Sequence, residues 1–405
     1  MKYPENAKED AENMILAEFY GGIEINREEK IVYARLIAAH RVLSTCRSTT
    51  GGLHDDLLYI YNHQSCEPKG DHMNSRMHKV IDRPDEYKKD VSDRYGLPSQ
   101  KCATLGTAAN MNNAAICHER FCDLEVVAVC TGGVEGNAGR AGDPASYYEP
   151  QKEKDNECSA TSQQCVPREG TINAMIFINR ELTPGAMVTA VITATEAKTA
   201  ALQELEVPSR YSDGLATGTG TDQIAVASKL GGEAISYAGK HSKVGELIGR
   251  TMHDAVKKTL ALQNGLTSAG QCSSFAHLER LGITEQVLCH GIGEFLSKDN
   301  ADILEKNFSN IINDPLTVAA VAALMHLRDK FLWGILPDSC IPEVLAAYGA
   351  QISAAVSGKS NRSCAYMQML SALKMSLEKH AFLKFVCQAF ALGFSEKWSY
   401  LESQA

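Results

Sequence analysis

The fold class is decided by one stretch, Ile172 to Leu205, which reads INAMIFINRELTPGAMVTAVITATEAKTAALQEL. Its first seven residues are almost all apolar, which is typical of a buried strand. Thr183 then suits a helix cap, and Pro184 suits the first helical position, where no backbone donor is needed. The residues that follow favour a long helix. A buried strand followed at once by a capped helix predicts a mixed α/β (α+β) fold.

Other segments are predicted as strands because their apolar residues run together or alternate. They are Gly22 to Leu36, which holds two short strands around a polar turn, Asp56 to His63, Leu124 to Cys130 and Gln223 to Ser228. The alanine-rich segment Leu105 to Glu119 favours a helix. We expect these strands to form one central mixed sheet flanked by helices, with the Pro184 helix on one face.

The chain is predicted to change character near residue 250, because long helical patterns dominate from about Val244 onward. We therefore expect a mixed core over residues 1–250 and a mostly helical C-terminal extension, residues 251–405, packed against it. Two polar stretches, Gln64 to Gln100 and Tyr147 to Gly170, hold few large apolar residues. They are expected at the surface, rimming a cleft, with some helix near Asp85 to Tyr95.

The composition excludes several classes of function. A net charge of −9 argues against a nucleic-acid-binding surface, which needs clustered basic residues. The N-terminus is polar and acidic, unlike a signal peptide, and the longest apolar window, Pro315 to Leu327, is shorter than the about 20 residues that span a bilayer. The 13 cysteines form no Cys-x-x-Cys pair. We expect a cytoplasmic protein with reduced thiols, no membrane contact and no metal site.

Two glycine-bearing loops adjoin predicted strands. The first, TGGVEGNAGRAGDP at Thr131 to Pro144, carries two carboxylates, an amide and a guanidinium, which indicates either a binding loop or a solvated turn. The second, ATGTGTDQIAVAS at Ala216 to Ser228, lacks both the dinucleotide fingerprint and the Gly-Lys-Ser/Thr of a phosphate loop. We interpret it as a turn whose glycines allow close approach to a ligand. Its Asp222 is a general base, a hydrogen-bond acceptor or a turn residue.

A lysine interrupts the apolar face of the predicted Pro184 helix. At 100° per residue, Lys198 and Thr195 project into a stripe formed by Met187, Val188, Val191, Ile192, Leu202 and Leu205. A lysine on a buried face is uncommon unless it is paired. Its amine either reaches water or points into a site, with Glu196 beside it. His241, between Lys240 and Lys243, is either a proton-transfer group or a structural histidine.

Several long motifs occur together in one order and resemble the adenosylcobinamide amidohydrolase family. They are LSTCRSTTGG followed by Asn62 and His63, EGNAGRAGDP, GTIN, LTPGAMVTAVITATEAKTAALQEL, ATGTGTDQIAVA and AGKHSKVGELIGR. The resemblance covers about Gly22 to Arg250. It does not clearly cover the residues beyond, which are expected to be an extension found in longer members.

The resemblance implies a reaction and a set of site residues. Such enzymes hydrolyse the amide between aminopropanol and a corrin propionate, which converts adenosylcobinamide into adenosylcobyric acid and 1-amino-2-propanol in corrinoid salvage. The corrinoid is then the substrate, no cofactor is implied, and homo-oligomer formation stays open. Residues expected to bind substrate are Asn62, His63, Asn137, Arg140, Asp143, Asn173, Glu196, Lys198, Thr217, Gly218, Thr219, Gly220, Thr221 and Lys240.

Two catalytic schemes and one rival function follow from these residues. In the scheme that the sequence favours, His241, Asp222 or Glu135 activates water, and backbone amides near Gly218 stabilise the oxyanion. In the other, Thr171, which stands just before a strand, is the nucleophile, by analogy with enzymes that cleave themselves to free a threonine amine. The rival is a corrinoid-binding protein without catalysis.

Overall fold

A computed structural model of the chain describes residues 14–65, 82–145 and 170–397. The chain divides into two compact units, Met1–Leu266 and Thr267–Ala405. The boundary expected at residue 250 falls inside a helix, Lys243–Asn264, that belongs to the first unit.

The first unit contains a five-stranded sheet. Its strands, in spatial order, are β1 (Met14–Phe19), β2 (Ile23–Glu28), β3 (Ile31–Leu36), β6 (Tyr59–Gln64) and β7 (Cys102–Thr107). Neighbouring strands are antiparallel except β6 and β7, which run parallel.

A six-stranded sheet lies in the same unit. Its order is β5 (Gly52–His54), β4 (His40–Ser44), β13 (Gln223–Lys229), β11 (Asn173–Ile178), β9 (Leu124–Thr131) and β8 (Ala115–Phe121). Only β11 and β13 are parallel, so their first residues, Asn173 and Gln223, are paired at the same edge. A short ribbon of β10 (Ala138–Gly139) and β12 (Gly218–Thr219) joins the two glycine-bearing loops.

The two sheets pack face to face between layers of helices. In β11, Met175 and Phe177 contribute to the core between the sheets, whereas Ala174 and Ile176 contribute to the core on the opposite face. That second core includes residues of α2 (Pro184–Glu204) and α3 (Lys243–Asn264). On the outer face of the five-stranded sheet, α1 (Pro84–Arg94) contributes a small cluster. The period-two alternation of the strands therefore builds four layers, α/β/β/α.

The mixed α+β class and the predicted strands are confirmed, with the difference that the strands form two sheets instead of one. The segment Leu105 to Glu119 was predicted wrongly as a helix: it contains the end of β7 and most of β8, in which Ala115 and Cys117 are buried. Alternating burial and pairing with β9 outweigh the weak helix preference of alanine.

The first polar stretch is only in part a surface excursion. The helix expected near Asp85 to Tyr95 is confirmed as α1, but Tyr87 and Val91 are buried against the sheet, so the expectation that this stretch lies at the surface is wrong here. The rest of that prediction falls mostly on residues 66–81, and the second polar stretch on residues 146–169. Both segments lie outside the described residues.

Helix α2 begins as the sequence predicts. The Thr183 hydroxyl oxygen accepts a hydrogen bond from the Ala186 amide at 3.2 Å, and Pro184 follows the cap. The expected apolar stripe is only partly correct, because Val188 and Ile192 are more than half exposed. The buried face is formed mainly by small residues, Ala186, Ala190, Ala194 and Ala201, with Met187 and Leu202.

The second unit is helical, as expected. Its helices are α4 (Ser274–Leu278), α5 (Glu285–Gly293), α6 (Lys298–Ile312), α7 (Pro315–Leu332), α8 (Ile341–Ser357), α9 (Ser363–Ser371) and α10 (Lys379–Lys397). They enclose a core of their own. Within the described residues no single helix is long and apolar enough to cross a membrane, while α6 and α7, bent by 79°, meet the length and composition test as a pair.

Candidate functional site

The carbonyl of Gly170 lies at the centre of a polar cluster where β11 begins. Its oxygen accepts hydrogen bonds from Asn137 Nδ2 at 3.0 Å, Thr171 Oγ1 at 2.9 Å and Thr221 Oγ1 at 3.1 Å. The two threonine hydroxyl oxygens are 2.5 Å apart. The hydroxyl of Tyr211 donates to Asn137 Oδ1 at 2.8 Å and so fixes the direction of the amide. The cluster thus combines a hydroxyl with donors that converge on an amide carbonyl.

An ion pair braces the neighbouring loop. Asp222 Oδ2 accepts from Lys198 Nζ and from the Thr219 amide, and Oδ1 accepts from the Ile172 amide at 2.8 Å and the Thr219 hydroxyl at 2.5 Å. The side chains of Lys198 and Asp222 are only 13% and 15% exposed. Four donors occupy the roughly four lone-pair directions of a carboxylate. Asp222 therefore fixes the residue before β11 and the end of β12, and the expectation that it acts as a general base is not supported.

The two glycines of the threonine-rich loop allow a close approach, as the sequence suggested, but to the protein itself. A Cβ at Gly218 would lie 2.6 Å from Asp222 Oδ2 and 2.9 Å from Lys198 Nζ. A Cβ at Gly220 would lie 3.1 Å from Asn137 Oδ1. Any side chain there would displace the ion pair or the amide, so the glycines serve the site's packing.

A buried polar seam connects the ends of the two sheets beside this cluster. Asn62 of β6 donates to Thr131 Oγ1 at 2.6 Å and accepts from Asn173 Nδ2 at 2.9 Å. Asn173 also accepts from the Gln223 amide at 3.2 Å, and Gln223 accepts from the Gly106 amide at 2.8 Å. Asn62 and Asn173 are therefore placed together, two residues along β11 from Thr171, where they fix the strand ends.

The side chain of His63 projects from the opposite face of β6 to that of Asn62. Because successive strand residues point to opposite faces, Asn62 projects between the sheets while His63 projects under α1. There His63 Nδ1 lies 2.6 Å from the hydroxyl of Tyr87. The adjacent Asn62 and His63 thus do not act on one site.

The first glycine-bearing loop supports the second. Asp143 Oδ2 accepts from the Arg140 amide at 2.7 Å and from the Ser209 hydroxyl at 2.6 Å, and Arg140 Nη1 donates to the Leu215 carbonyl. Partial burial acts to raise the pKa of Asp143, but hydrogen bonds from Ser209, Ser212 and the Arg140 amide outweigh it and hold the pKa below its ordinary value. Thr217 Oγ1 accepts from the Ala141 amide at 2.8 Å. These residues order the loops around the cluster.

Four further candidates also lie outside the hydrogen-bonded cluster. Glu196 and Lys240 form an exposed ion pair of 2.6 Å with each other. Glu135 and His241 are exposed, in turns beside β10 and before α3, and no hydrogen bond of the cluster includes them. The sequence predicts that Glu135, Asn137, Arg140, Lys198, Asp222 and His241 converge on one cleft. The fold places Asn137 in the cluster and the ion pair of Lys198 and Asp222 in the neighbouring loop.

A pocket of ≈ 200 Å³ opens beside the ion pair and reaches between the six-stranded sheet and the helices. Thr45, Lys198, Asp222 and Gln223 give it polar walls, while Ala174, Val191, Ala194 and Met252 line its apolar part.

The sequence did not single out Thr45, Thr131, Tyr211 or Gln223. Only their nearness in the fold reveals them, although Gln223 directly follows Asp222. Within the described residues no group of His, Cys, Asp and Glu side chains is arranged to hold a metal ion.

Comparison with known proteins places this fold and site in a family. The model of the adenosylcobinamide amidohydrolase family matches residues 16–268, which include every residue of the cluster. The chain belongs to the adenosylcobinamide amidohydrolase family. It is also similar to an uncharacterized protein of Methanocaldococcus jannaschii, with 37% identity over 213 residues, which are 52% of this chain and 79% of the relative.

Proposed function

We propose that this protein hydrolyses the amide that joins 1-amino-2-propanol to a propionate side chain of adenosylcobinamide, and so releases adenosylcobyric acid. Membership of the family supports the reaction class, since the family match includes the whole polar cluster. The observation that carries the proposal is the Gly170 carbonyl, an amide oxygen that accepts from Asn137 Nδ2 and from the hydroxyls of Thr171 and Thr221. Donors that converge on a carbonyl oxygen are what a tetrahedral oxyanion requires.

Each member of the cluster has a role in this proposal. Thr171 Oγ1 attacks the carbonyl carbon of the substrate amide, and the side chains of Asn137 and Thr221 donate hydrogen bonds to the oxyanion. The bond from that carbon to the amide nitrogen then breaks, the proton of the Thr171 hydroxyl passes to the nitrogen, and 1-amino-2-propanol leaves an ester on Thr171. Tyr211 orients Asn137, and the pair of Lys198 and Asp222 fixes the loop that carries Thr221. Water then hydrolyses the acyl ester and restores the threonine hydroxyl.

The size of the pocket suits one arm of the substrate. A cavity of ≈ 200 Å³ is smaller than the 300 to 1,000 Å³ typical of pockets that enclose a whole ligand. We therefore propose that a side arm of the corrin enters, while the ring stays outside against the threonine-rich and Asn137-bearing loops. Hydrolysis consumes only water, so we expect no cofactor beyond the corrinoid substrate. We expect the reaction in the cytoplasm.

The test measures free 1-amino-2-propanol and adenosylcobyric acid by liquid chromatography and mass spectrometry after incubation with adenosylcobinamide. Thr171→Ala should lose nearly all turnover, and Asn137→Ala should lose roughly 10²-fold, the usual scale for one oxyanion donor. Thr189→Ala is the matched control, because the Thr189 hydroxyl donates to the Gly185 carbonyl of its own helix, α2, and takes no part in the cluster. Tight corrinoid binding with unchanged substrate would instead indicate a binding protein without catalysis.

A further inference from the structure

We propose that the chain cleaves its own backbone between Gly170 and Thr171. The working protein would then consist of residues 1–170 and 171–405, with Thr171 as a new N-terminus. This inference goes beyond the hydrolysis of a corrinoid, because the cleaved bond belongs to the protein and the event needs no ligand.

The Gly170 carbonyl is bound in the manner of a reacting group. Peptide oxygens at the start of a strand ordinarily accept one or two hydrogen bonds, but this oxygen accepts from Asn137, Thr171 and Thr221 side chains. None of these bonds belongs to a sheet or helix. Their convergence polarises the carbonyl, and the donors from Asn137 and Thr221 would stabilise the negative charge that develops on its oxygen during attack by Thr171.

The hydroxyls of Thr171 and Thr221 have two protons between them but take part in three short oxygen–oxygen contacts. Thr171 and Thr221 bring one hydroxyl proton each, yet three short contacts connect these oxygens with each other and with the Gly170 oxygen. At most two of the three contacts are donated at one time. The Thr171 proton can therefore pass to Thr221 Oγ1 while Thr221 donates its own, which leaves the Thr171 oxygen free to act as nucleophile.

The cleavage balances with one water molecule. Thr171 Oγ1 adds to the Gly170 carbonyl carbon and closes a five-membered ring. The bond from that carbon to the Thr171 nitrogen then breaks, and the proton carried by Thr221 ends on the nitrogen, which becomes a free amine. The resulting ester of Gly170 with Thr171 Oγ1 is hydrolysed by water, which gives a Gly170 carboxylate and restores the Thr171 hydroxyl.

The backbone is fixed on both sides of the scissile bond. Gly170 has a φ of 134°, a conformation that only glycine adopts without strain, and an added Cβ would lie 3.0 Å from the Gly133 oxygen. The Thr171 carbonyl accepts from the Gly133 amide at 3.1 Å, and the Ile172 amide donates to Asp222. Thr171 is 7% exposed. The Gly170–Thr171 peptide is thus held in one orientation, with the Thr171 hydroxyl beside the Gly170 carbonyl.

Cleavage would supply the base that the intact cluster lacks. Asp222 already accepts four hydrogen bonds, and Glu135 and His241 are exposed outside the cluster. A free α-amine on Thr171, with an ordinary pKa of about 8, would lie on the same residue as the hydroxyl that it activates.

The fold would stay assembled after the cut. In the six-stranded sheet, β11 and β13 follow the cleavage point, and they lie between β4 and β9, which precede it. Strands of the two fragments therefore interleave through backbone hydrogen bonds and share the core on both faces of the sheet. The fragments should elute together in native chromatography and separate only when the protein is denatured.

The test is denaturing mass spectrometry of the purified full chain, without corrinoid, combined with N-terminal sequencing. We expect the 44.0 kDa chain to give two fragments, one of which begins at Thr171, with masses that add up to the intact chain plus one water. Thr171→Ala should stay intact, Thr171→Ser should be cut, Asn137→Ala should be cut roughly 10²-fold more slowly, and Thr189→Ala should match the unmodified chain.

Two results would overturn the proposal. One is a folded, unmodified protein that stays intact on prolonged incubation, and the other is Thr171→Ala cut at the same bond and rate, which would indicate an outside protease. Circular dichroism establishes that each variant is folded, and Thr171→Ser and Asn137→Ala decide the matter if the alanine variant does not fold. Because no corrinoid is present, failure here is separate from failure of the proposed hydrolysis.

Discussion

At the scale of the residue, the hydrogen-bond partners of Asp222 and Lys198 determine what these two side chains can do. Asp222 and Lys198 attract notice in the sequence, one in a glycine-rich turn and the other on an apolar helix face. The sequence does not pair them, because they stand 24 positions apart, Lys198 on a helix and Asp222 in a loop. In the fold they form a largely buried ion pair whose carboxylate has no free acceptor direction. A buried pair of this kind stabilises the loop, and our proposal therefore assigns catalysis to the neighbouring hydroxyls.

Gly218→Ala tests this ion pair. The added Cβ would lie 2.6 Å from Asp222 Oδ2, so either the ion pair or the strand must move, and we expect the free energy of unfolding to fall by about 1 to 3 kcal/mol. Gly249→Ala in α3 is the matched control, since a Cβ there meets nothing within 4 Å, and it should leave stability equal or higher. Urea unfolding measures both. Equal effects at the two positions would contradict the packing described for Gly218.

The amide and hydroxyl groups of the cluster were only partly predictable. Asn137, Thr171 and Thr221 stand in motifs that the sequence singles out, because glycine-bearing loops at strand ends commonly carry function. Their convergence on the Gly170 carbonyl requires the parallel pairing of β11 with β13, which no local pattern encodes. Tyr211 and Thr131 were missed for the same reason. His241 and Glu135 were favoured by residue type alone, and the fold leaves both exposed.

At the scale of the element, the period of the apolar residues predicts individual strands and helices well. It predicted β9, β11, β13 and α2, whose apolar runs or caps are strong. It failed at Leu105 to Glu119, where alanines suit helix and strand alike and pairing with β9 decides. It also failed to divide the strands between two sheets, because both faces of the six-stranded sheet are buried and its strands give no sign of which neighbour they pair with.

A pH-sensitive clamp joins two of the helices. His253 of α3 and Lys257 each lie 2.9 Å from Glu204 near the C-terminus of α2. Partial burial acts to lower the pKa of His253, but hydrogen bonds to Asp254 and Glu204 outweigh it and raise the pKa above its ordinary value of 6.5. The clamp therefore contributes its full stability below about pH 6.5 and loses it as the pH rises through the higher pKa of the folded state.

His253→Gln should accordingly lower the free energy of unfolding at about pH 5.5 and change it less at about pH 8.5, because the histidine loses its proton as the pH rises through the raised pKa of the folded state. Lys257→Met is the control, since its ammonium stays charged at both values and its effect should not vary between them. Urea unfolding of the three proteins at the two pH values gives the comparison. A loss for His253→Gln that is the same at both would argue against a charged clamp.

At the scale of the whole molecule, the site belongs to one unit. The first unit ends at Leu266 and the family match at residue 268, so the two boundaries nearly coincide. Every residue of the cluster and of the pocket precedes this point. The sequence predicted a change to helix but set the boundary at 250, because α3 reads like the helices that follow while its apolar face belongs to the first core. The packing of the helical part against the first stays a prediction.

Residues 1–266 should therefore fold alone and release aminopropanol from adenosylcobinamide with a kcat/KM close to that of the full chain. The reason is that the first unit encloses its own cores and contains the complete cluster. Steady-state kinetics of the truncated and full proteins, with circular dichroism as the folding check, make the comparison. A truncated protein that folds but has lost activity would show that the helical unit takes part in the reaction.

The central claim is hydrolysis of a corrinoid side-chain amide, and the most direct measurement follows the oxygen of water into the product. The protein is incubated with adenosylcobinamide in water enriched in oxygen-18, and the corrinoid product is examined by mass spectrometry. We predict adenosylcobyric acid with one labelled oxygen in its new carboxylate and an equal amount of free 1-amino-2-propanol, both abolished by Thr171→Ala. Adenosylcobinamide that is bound but recovered unlabelled and intact would contradict the account.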